Sequence, residues 1–137
     1  MSASIPTVLY VDNNMKFRSV LGSVLRDWGF EVIATADPRQ AIRQFRKLRF
    51  EVALIHYQLP VISGPELARK MKAIDPDVPV VMLSECAVLP DLELLWLDAH
   101  FGPDASLDDL PHILRTLSCP PALKQDKAAA ARWAEST

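Results

Sequence analysis

The fold is decided by residues 8–34, which read VLYVDNNMKFRSVLGSVLRDWGFEVIA. Each end of this stretch carries a short apolar run rich in β-branched residues, at 8–11 and 30–34, and such runs predict β-strands. Asn13 or Asn14 is suited to cap a helix between them, and Gly29 to end it. Apolar side chains recur in that segment at the spacing of one helix face, namely Phe17, Val20, Leu21, Val24, Leu25 and Trp28. A strand, a helix and a second strand are therefore expected in succession.

The same alternation continues along the chain. Apolar runs at 52–55 and 78–83 predict two further strands. All four runs are continuous rather than alternating, which is typical of a parallel sheet covered on both faces. Asp37-Pro38 and Gly64-Pro65 are expected to open two more helices. Their inward-facing residues are expected to be Ala41, Ile42, Phe45 and Leu48, and then Leu67, Met71 and Ile74. The fold class is α/β.

The pattern weakens after residue 83. Pro90 and Asp91 are typical of the first turn of a helix, which is expected to run to Asp98, and a short fifth strand is expected near 99–101. Ser106 is suited to cap a last helix with the apolar stripe Leu110, Ile113, Leu114 and Leu117. We expect one domain over 1–119 and a tail at 120–137 that forms an appended helix or a linker.

Length and composition restrict the classes of function. A chain of 137 residues suits one domain, and 50% hydrophobic with 23% charged residues argue against a disordered or collagen-like chain. The formal net charge of −2 gives no general attraction to nucleic acid or to an anionic membrane, so neither is an expected partner. No apolar leader or long apolar run is found, and a cytoplasmic location is expected. Cys86 and Cys119 lack metal-ligand spacing and are expected to be reduced, partly buried thiols.

Polar residues follow or end three of the predicted strands. Asp12 and Asn13 follow the first strand, His56 follows the third, and Ser84 follows the fourth. In a doubly wound sheet the loops after the strands gather at the carboxyl edge, where such folds form their sites. These four residues are therefore the candidate site.

Three segments of the chain resemble the receiver domains of two-component response regulators, over roughly residues 7–117. Residues 7–13 (TVLYVDN) resemble the family's first strand and acidic pair. Residues 54–60 (LIHYQLP), with Gly64 beyond them, resemble its phosphoacceptor loop, and residues 80–84 (VVMLS) resemble its fourth strand and switch hydroxyl. The resemblance implies a CheY-like, flavodoxin-like (βα)5 fold with a doubly wound parallel five-stranded sheet in the order 2-1-3-4-5. It also implies a role in phosphorelay signal transduction.

The sequence departs from that family at three working positions. His56 stands where the resemblance implies the phosphoaccepting aspartate, and Asn13 replaces one of the two acids that would hold Mg²⁺. No Lys or Arg occurs at 73–114, so the lysine implied after the fifth strand is missing. A phosphoryl group would add about 1.5 to 2 negative charges without a counter-ion. Asp12 alone is a poor Mg²⁺ site, since hard cations prefer several oxygen ligands. We expect an atypical receiver domain that is not an enzyme and needs no cofactor, Mg²⁺ included.

Other interpretations stay open. The chain could be a phosphorelay component that uses an unconventional site, such as His56, because imidazole can act as a covalent nucleophile. It could also be a hydrolase that uses Asp12, His56 and Ser84, although Ser84 lies outside a G-x-S-x-G elbow. A carboxylate beside an imidazole favours the charged ring, so an ion pair between Asp12 and His56 is a further expectation.

Charged and apolar residues are unevenly distributed. Residues 75–109 contain nine acidic side chains and no Lys or Arg, whereas the second predicted helix and its end are basic. Residues 92–97 (LELLWL) are apolar at five of six positions, which is more than one sheet face can cover. We expect Leu94, Trp96 and Leu97 to form an interaction face for a signalling protein or for a homodimer, or to be covered by the tail with Trp133. The basic residues are Arg39, Arg43, Arg46, Lys47 and Arg49.

Overall fold

Five parallel strands form a single sheet, and helices cover both of its faces. The computed structural model describes residues 5–118, so the tail predicted at 120–137 lies outside the described residues. The strands lie in the order β2-β1-β3-β4-β5, and each neighbouring pair is parallel. The predicted flavodoxin-like fold with strand order 2-1-3-4-5 is confirmed. The strands are β1 (Thr7–Val11), β2 (Glu31–Thr35), β3 (Val52–His56), β4 (Val80–Leu83) and β5 (Ala99–Phe101).

The helices divide between the two faces of the sheet. Helices α2 and α3, with the residues that flank α4, pack on the face formed by Leu9, Ile55 and Met82. Helices α1 and α5 pack on the opposite face, against Tyr10 and Leu54. A 3₁₀ turn, Leu107–Asp109, precedes the last helix. Within residues 5–118 the α-helices are α1 (Met15–Asp27), α2 (Pro38–Lys47), α3 (Gly64–Ile74), α4 (Asp91–Leu94) and α5 (Leu110–Leu117).

Side-chain caps fix where the first three helices begin. Asn14, Asp37 and Ser63 each accept a hydrogen bond from a backbone N–H of the first turn, at 2.9, 2.9 and 3.3 Å. Of the two predicted caps for α1, the structure therefore uses Asn14 and leaves Asn13 free for the edge of the sheet. Gly29 ends α1 with a φ of 99°, a conformation that glycine adopts without steric cost.

Helix α4 is shorter than predicted: it ends at Leu94, whereas the prediction extended it to Asp98. The Asp98 carboxylate turns toward the start of β4, where its Oδ2 accepts hydrogen bonds from the backbone N–H of Val80 and from Nζ of Lys72, both at 2.8 Å. These bonds hold the chain at the position from which β5 begins. The segment after α4 must reach this anchor, and the helix cannot continue.

Some residues predicted to face the core are exposed. Three of them lie at the ends of elements, where the helix periodicity no longer holds: Phe17 in the first turn of α1, Leu48 after α2, and Ile74 as the last residue of α3. Val20 lies inside α1 but outside its core-facing side. In α1, the core-facing part of the stripe is centred on Leu21 and Leu25. The exposed residues are Phe17, Val20, Leu48 and Ile74.

Candidate functional site

A cleft of about 570 Å³ lies at the carboxyl edge of the sheet, where the loops after β1, β3, β4 and β5 meet. Asn13, His56 and Ser84 line it, as expected from the ends of parallel strands. The remaining lining residues combine short polar groups with apolar side chains. They are Asn14, Phe17, Gln58, Leu83, Glu85, Phe101, Gly102, Pro103, Ala105 and Leu107.

Asp12 is fully buried and is not among the residues that line the cleft. Its Oδ2 accepts a hydrogen bond from the Tyr10 hydroxyl at 2.8 Å, and its Oδ1 accepts one from the backbone N–H of Asn14 at 2.9 Å. The Arg18 guanidinium donates to the Asp12 carbonyl oxygen at 2.8 Å. The carboxylate is therefore held by neutral donors at the end of β1, with a cation beside its main chain.

Tyr10 and Arg18 were missed by the sequence analysis. Tyr10 and Asp12 are two residues apart on an extended segment, so their side chains share one face, and this spacing could have revealed the pair. No sequence signal places Arg18 against the end of β1. Burial, followed by the nearby Asp12 carboxylate, raises the pKa of Tyr10 well above its usual range, because both disfavour the phenolate.

Tyr10→Phe is expected to lower the free energy of unfolding by about 1 to 3 kcal/mol, because the buried Asp12 carboxylate loses a donor. In the native protein the raised pKa of Tyr10 makes its contribution complete below the ordinary tyrosine pKa of about 10, and it is lost as pH rises above that value. The stability difference between the two proteins should therefore narrow above about pH 10. Urea unfolding at neutral and alkaline pH measures this, and a constant difference would contradict it.

His56 is half-buried and is held by its own loop. Its ring Nδ1 lies 3.2 Å from both the backbone nitrogen and the backbone oxygen of Gln58. Among the described residues, His56 forms no ion pair, and Asp12 bonds to other partners. The expected ion pair between Asp12 and His56 is therefore not formed, because Tyr10 and Asn14 occupy the carboxylate.

Ser84 is also engaged locally. Its Oγ accepts a hydrogen bond from the backbone N–H of Cys86 at 2.9 Å and lies 3.4 Å from the Cys86 carbonyl oxygen. Cys86 itself is exposed, so the partial burial predicted for it is wrong, and Cys119 lies outside the described residues. A hydrolytic triad requires hydrogen bonds from acid to imidazole and from imidazole to hydroxyl. Asp12, His56 and Ser84 end neighbouring strands but do not form that chain of hydrogen bonds.

Gly102 is the first residue after β5, and the family resemblance implies a lysine at the end of this strand. No Lys or Arg side chain is among the residues that line the cleft. A Cβ at Gly102 would lie 3.2 Å from the carbonyl oxygen of Cys86, so a side chain there requires only a small shift of the loop. Within residues 5–118 the cleft thus has no cationic side chain, and position 102 can receive one.

The donor set at this edge is poor for a hard cation. Mg²⁺ prefers an octahedral set of oxygen ligands that includes carboxylates. Asp12 supplies one carboxylate that already accepts two hydrogen bonds, Asn13 supplies a neutral amide, and His56 supplies nitrogen. In the part of the chain that the structure describes, no three His, Cys, Asp or Glu side chains are grouped as metal ligands. These residues do not fit the Mg²⁺ that the family would imply.

Comparison with known proteins places this fold and edge in a family. The model of the response regulator receiver domain matches residues 8–95, which is more than half of the chain. The chain belongs to this family. A receiver domain is a module of two-component signalling, and residues 8–95 contain Asp12, Asn13, His56 and Ser84.

Several relatives resemble this receiver domain. A response regulator receiver protein of Anaeromyxobacter sp. (strain Fw109-5) is 33% identical over 76 residues, which cover 56% of this chain and 32% of that protein. The receiver domain thus spans about a third of the length of that curated relative. A CheY-like receiver domain from Methanospirillum hungatei JF-1 aligns with a TM-score of 0.79 at 23% identity, covering 91% of this chain and 99% of the other. TrrA of Thermotoga maritima, solved in complex with the histidine kinase ThkA, aligns with a TM-score of 0.76 at 20% identity, covering 82% and 98%.

The three residues of the predicted interaction face, which lie in and after α4, differ in their exposure. Trp96 and Leu97 are half-buried and pack against the core beneath α2 and α3, while Leu94 is 40% exposed. Within residues 92–97 the most exposed apolar residues are instead Leu92 at 77% and Leu95 at 68%. The reason is the early end of α4, since the chain after Leu94 turns back toward the sheet.

A hydrogen bond joins this segment to the cleft. The Tyr57 hydroxyl donates to Oε1 of Glu93 at 2.7 Å, and Tyr57 directly follows His56. This bond to a carboxylate, with partial burial, raises the pKa of Tyr57, because it favours the protonated phenol. The end of β3 and α4 are therefore in direct contact.

Among the described residues, no helix is long and apolar enough to cross a bilayer.

Proposed function

We propose that this chain is an atypical receiver domain, a pseudo-receiver, which acts in signalling by binding a protein partner and is not switched by aspartyl phosphorylation. The observation that carries the proposal is His56 at the end of β3, in a cleft that no Lys or Arg of the described residues 5–118 lines. An imidazole cannot form the acyl phosphate on which the family's switch depends. The remaining site residues, Asp12, Asn13 and Ser84, then form a degenerate phosphorylation pocket.

Charge supports this proposal. A phosphoryl group adds about 1.5 to 2 negative charges and needs a metal ion or a cationic side chain nearby. The buried Asp12 carboxylate and exposed Glu85 already contribute negative charge near the cleft, and Arg18 points to the Asp12 main chain rather than into the cleft. Phosphorylation at His56 would therefore be poorly stabilised, and Mg²⁺ would find too few oxygen ligands. We infer that the domain works without a cofactor.

The partner is inferred from the family. TrrA binds a histidine kinase, and a signalling protein of that kind is the partner class that we propose for this domain, in the cytoplasm. The exposed side chains around α4 are available for such contact. The hydrogen bond between Tyr57 and Glu93 holds α4 at the end of β3 without any phosphoryl group. The domain would therefore present its binding surface in one fixed state.

The test is a titration of the protein with Mg²⁺ and beryllofluoride, followed by the amide NMR signals of residues around 56 and 84. We expect no saturable shift at either position, because neither the acceptor nor the counter-ion is present. Saturable shifts at both positions, or a labile phosphoryl adduct near this edge in protein purified from its own cells, would overturn the proposal.

A further inference from the structure

A groove of about 620 Å³ lies between α2 and α3, away from the cleft. Its floor is apolar and includes Ile42, Ile62 and Ile74, and three cationic side chains, Arg39, Arg46 and Lys70, stand at its rim. We call these six residues the basic groove. An apolar floor with a cationic rim suits an occupant that is apolar and acidic.

The cations of the basic groove are largely unpaired. Arg46 and Lys70 form no ion pair or side-chain hydrogen bond with any described residue. Arg39 has one exposed contact, 3.7 Å from Asp37, and exposed pairs of this kind contribute little. Positive potential at the rim is therefore available to a partner.

The loop before α3 adds an exposed apolar side chain to this groove. Val61, which also lines it, has a φ of 72°, a left-handed conformation that a β-branched residue rarely adopts. Its side chain is 75% exposed. Backbone strain of this kind persists where the surroundings impose it and is often found at binding sites. Here it holds an aliphatic side chain in solvent beside the cationic rim.

A surface of complementary chemistry lies on α4. Leu92 and Leu95 are three residues apart, and both are exposed. Asp91 is exposed beside them, and no Lys or Arg occurs anywhere in residues 73–114. We call Asp91, Leu92 and Leu95 the α4 surface. It offers apolar side chains that match the apolar floor of the basic groove, and negative charge that matches its cationic rim.

We propose that the α4 surface of one copy of this chain docks into the basic groove of a second copy. Helix α2 packs over β1 and β2, whereas α4 connects β4 to β5 at the other end of the sheet, so the two surfaces lie apart on one molecule. The contact is therefore head-to-tail, and each added copy leaves one groove and one α4 surface free. The inference does not depend on whether the cleft is phosphorylated.

Sedimentation velocity of the full 137-residue chain tests this docking. A contact formed by so few residues is expected to be weak, so the average mass should rise with concentration between about 10 μM and 1 mM. Added salt should reduce the association, because it screens the charges at the rim. A protein that stays monomeric throughout this range at low salt overturns the proposal without any variant.

Two variants separate a head-to-tail contact from a symmetric one. Arg46→Glu/Lys70→Glu reverses two charges at the rim of the basic groove and leaves the α4 surface unchanged. Leu92→Ser/Leu95→Ser removes the apolar side chains of the α4 surface and leaves the basic groove unchanged. Each alone is expected to associate at least about tenfold more weakly than the native protein, and an equimolar mixture should form dimers that grow no further. All four positions are exposed, so melting temperatures should stay near the native value.

The outcome of mixing is decisive. Dimers in the mixture, with monomers in each separate solution, support the head-to-tail contact. Persistent association of either variant alone would show a contact between two grooves or between two α4 surfaces, and it would overturn the proposal. Separate monomers that do not associate on mixing would overturn it as well.

Discussion

Gly64→Ala is expected to lower the free energy of unfolding by about 3 kcal/mol, and the melting temperature by roughly 10 °C, because the new Cβ has no room. That Cβ would lie 2.5 Å from the carbonyl oxygen of His56, 2.9 Å from Cα of Tyr57 and 2.9 Å from Sδ of Met82. Two of these atoms belong to the backbone at the end of β3, which the Gly64 N–H also binds at 2.8 Å. The first turn of α3 would therefore be forced away from the strand that carries His56.

Gly22→Ala is the matched control for this change. Gly22 is buried inside α1, but its added Cβ would meet only the end of the Arg26 side chain, at 3.6 Å. The same substitution should stabilise the protein there by about 0.5 to 1 kcal/mol, because alanine favours a helix and glycine does not. Thermal melting followed by circular dichroism measures both variants. A loss at Gly64 no larger than 1 kcal/mol would show that the contact with β3 is not tight.

The triple variant Asn13→Asp/His56→Asp/Gly102→Lys is expected to bind Mg²⁺ and to accept a phosphoryl group more readily than the native protein. Two added carboxylates complete an oxygen set with Asp12, and the affinity for Mg²⁺ should rise by roughly 100-fold. The lysine supplies a cation beside the new acceptor. Beryllofluoride with Mg²⁺ should then give saturable amide shifts at residues 56 and 84, and a small phosphodonor should form a labile adduct on the new Asp at position 56.

The double variant Asn13→Asp/Gly102→Lys, which keeps His56, is the control for the acceptor. It should show tighter Mg²⁺ binding than the native protein but no aspartyl phosphate. Thermal melting gives an independent measurement, because a ligand that binds only the folded state stabilises it by about 2.7 kcal/mol at 100 times its Kd. Mg²⁺ should raise the melting temperature of the triple variant and leave the native protein unchanged. Equal phosphorylation of all three proteins would show that the chemistry does not depend on these residues.

Local patterns in the sequence were sufficient for the architecture. The β-branched runs, the caps Asp37 and Ser106 and the stop at Gly29 all act within a few residues, so a single sequence reveals them. The four-residue length of α4 could not be predicted, because it depends on the contact of Asp98 with Val80, which is 18 residues away. The exposure of Leu92 and Leu95, and the partial burial of Trp96, follow from that contact.

The location of the candidate site could be predicted from the sequence, but most of the hydrogen bonds between its residues could not. Parallel strands bring their carboxyl ends to one edge, which was enough to bring Asn13, His56 and Ser84 to one cleft. The hydrogen-bond partners depend on side-chain directions that periodicity does not give. The pair of Tyr10 and Asp12 could have been found from its two-residue spacing, whereas the capture of the Ser84 hydroxyl by its own loop appears only in the structure.

Tyr57 and Glu93 are 36 residues apart in sequence and share one hydrogen bond, which bears on how such a protein can evolve. In this domain the residue that follows His56 is joined to α4 by that hydrogen bond. Any later mutation or small molecule that displaces the backbone at 57 must either break a bond to a carboxylate or carry α4 along with it. A new ligand or substitution at this edge of the sheet can therefore change the position of the exposed residues of α4 through a hydrogen bond that already exists.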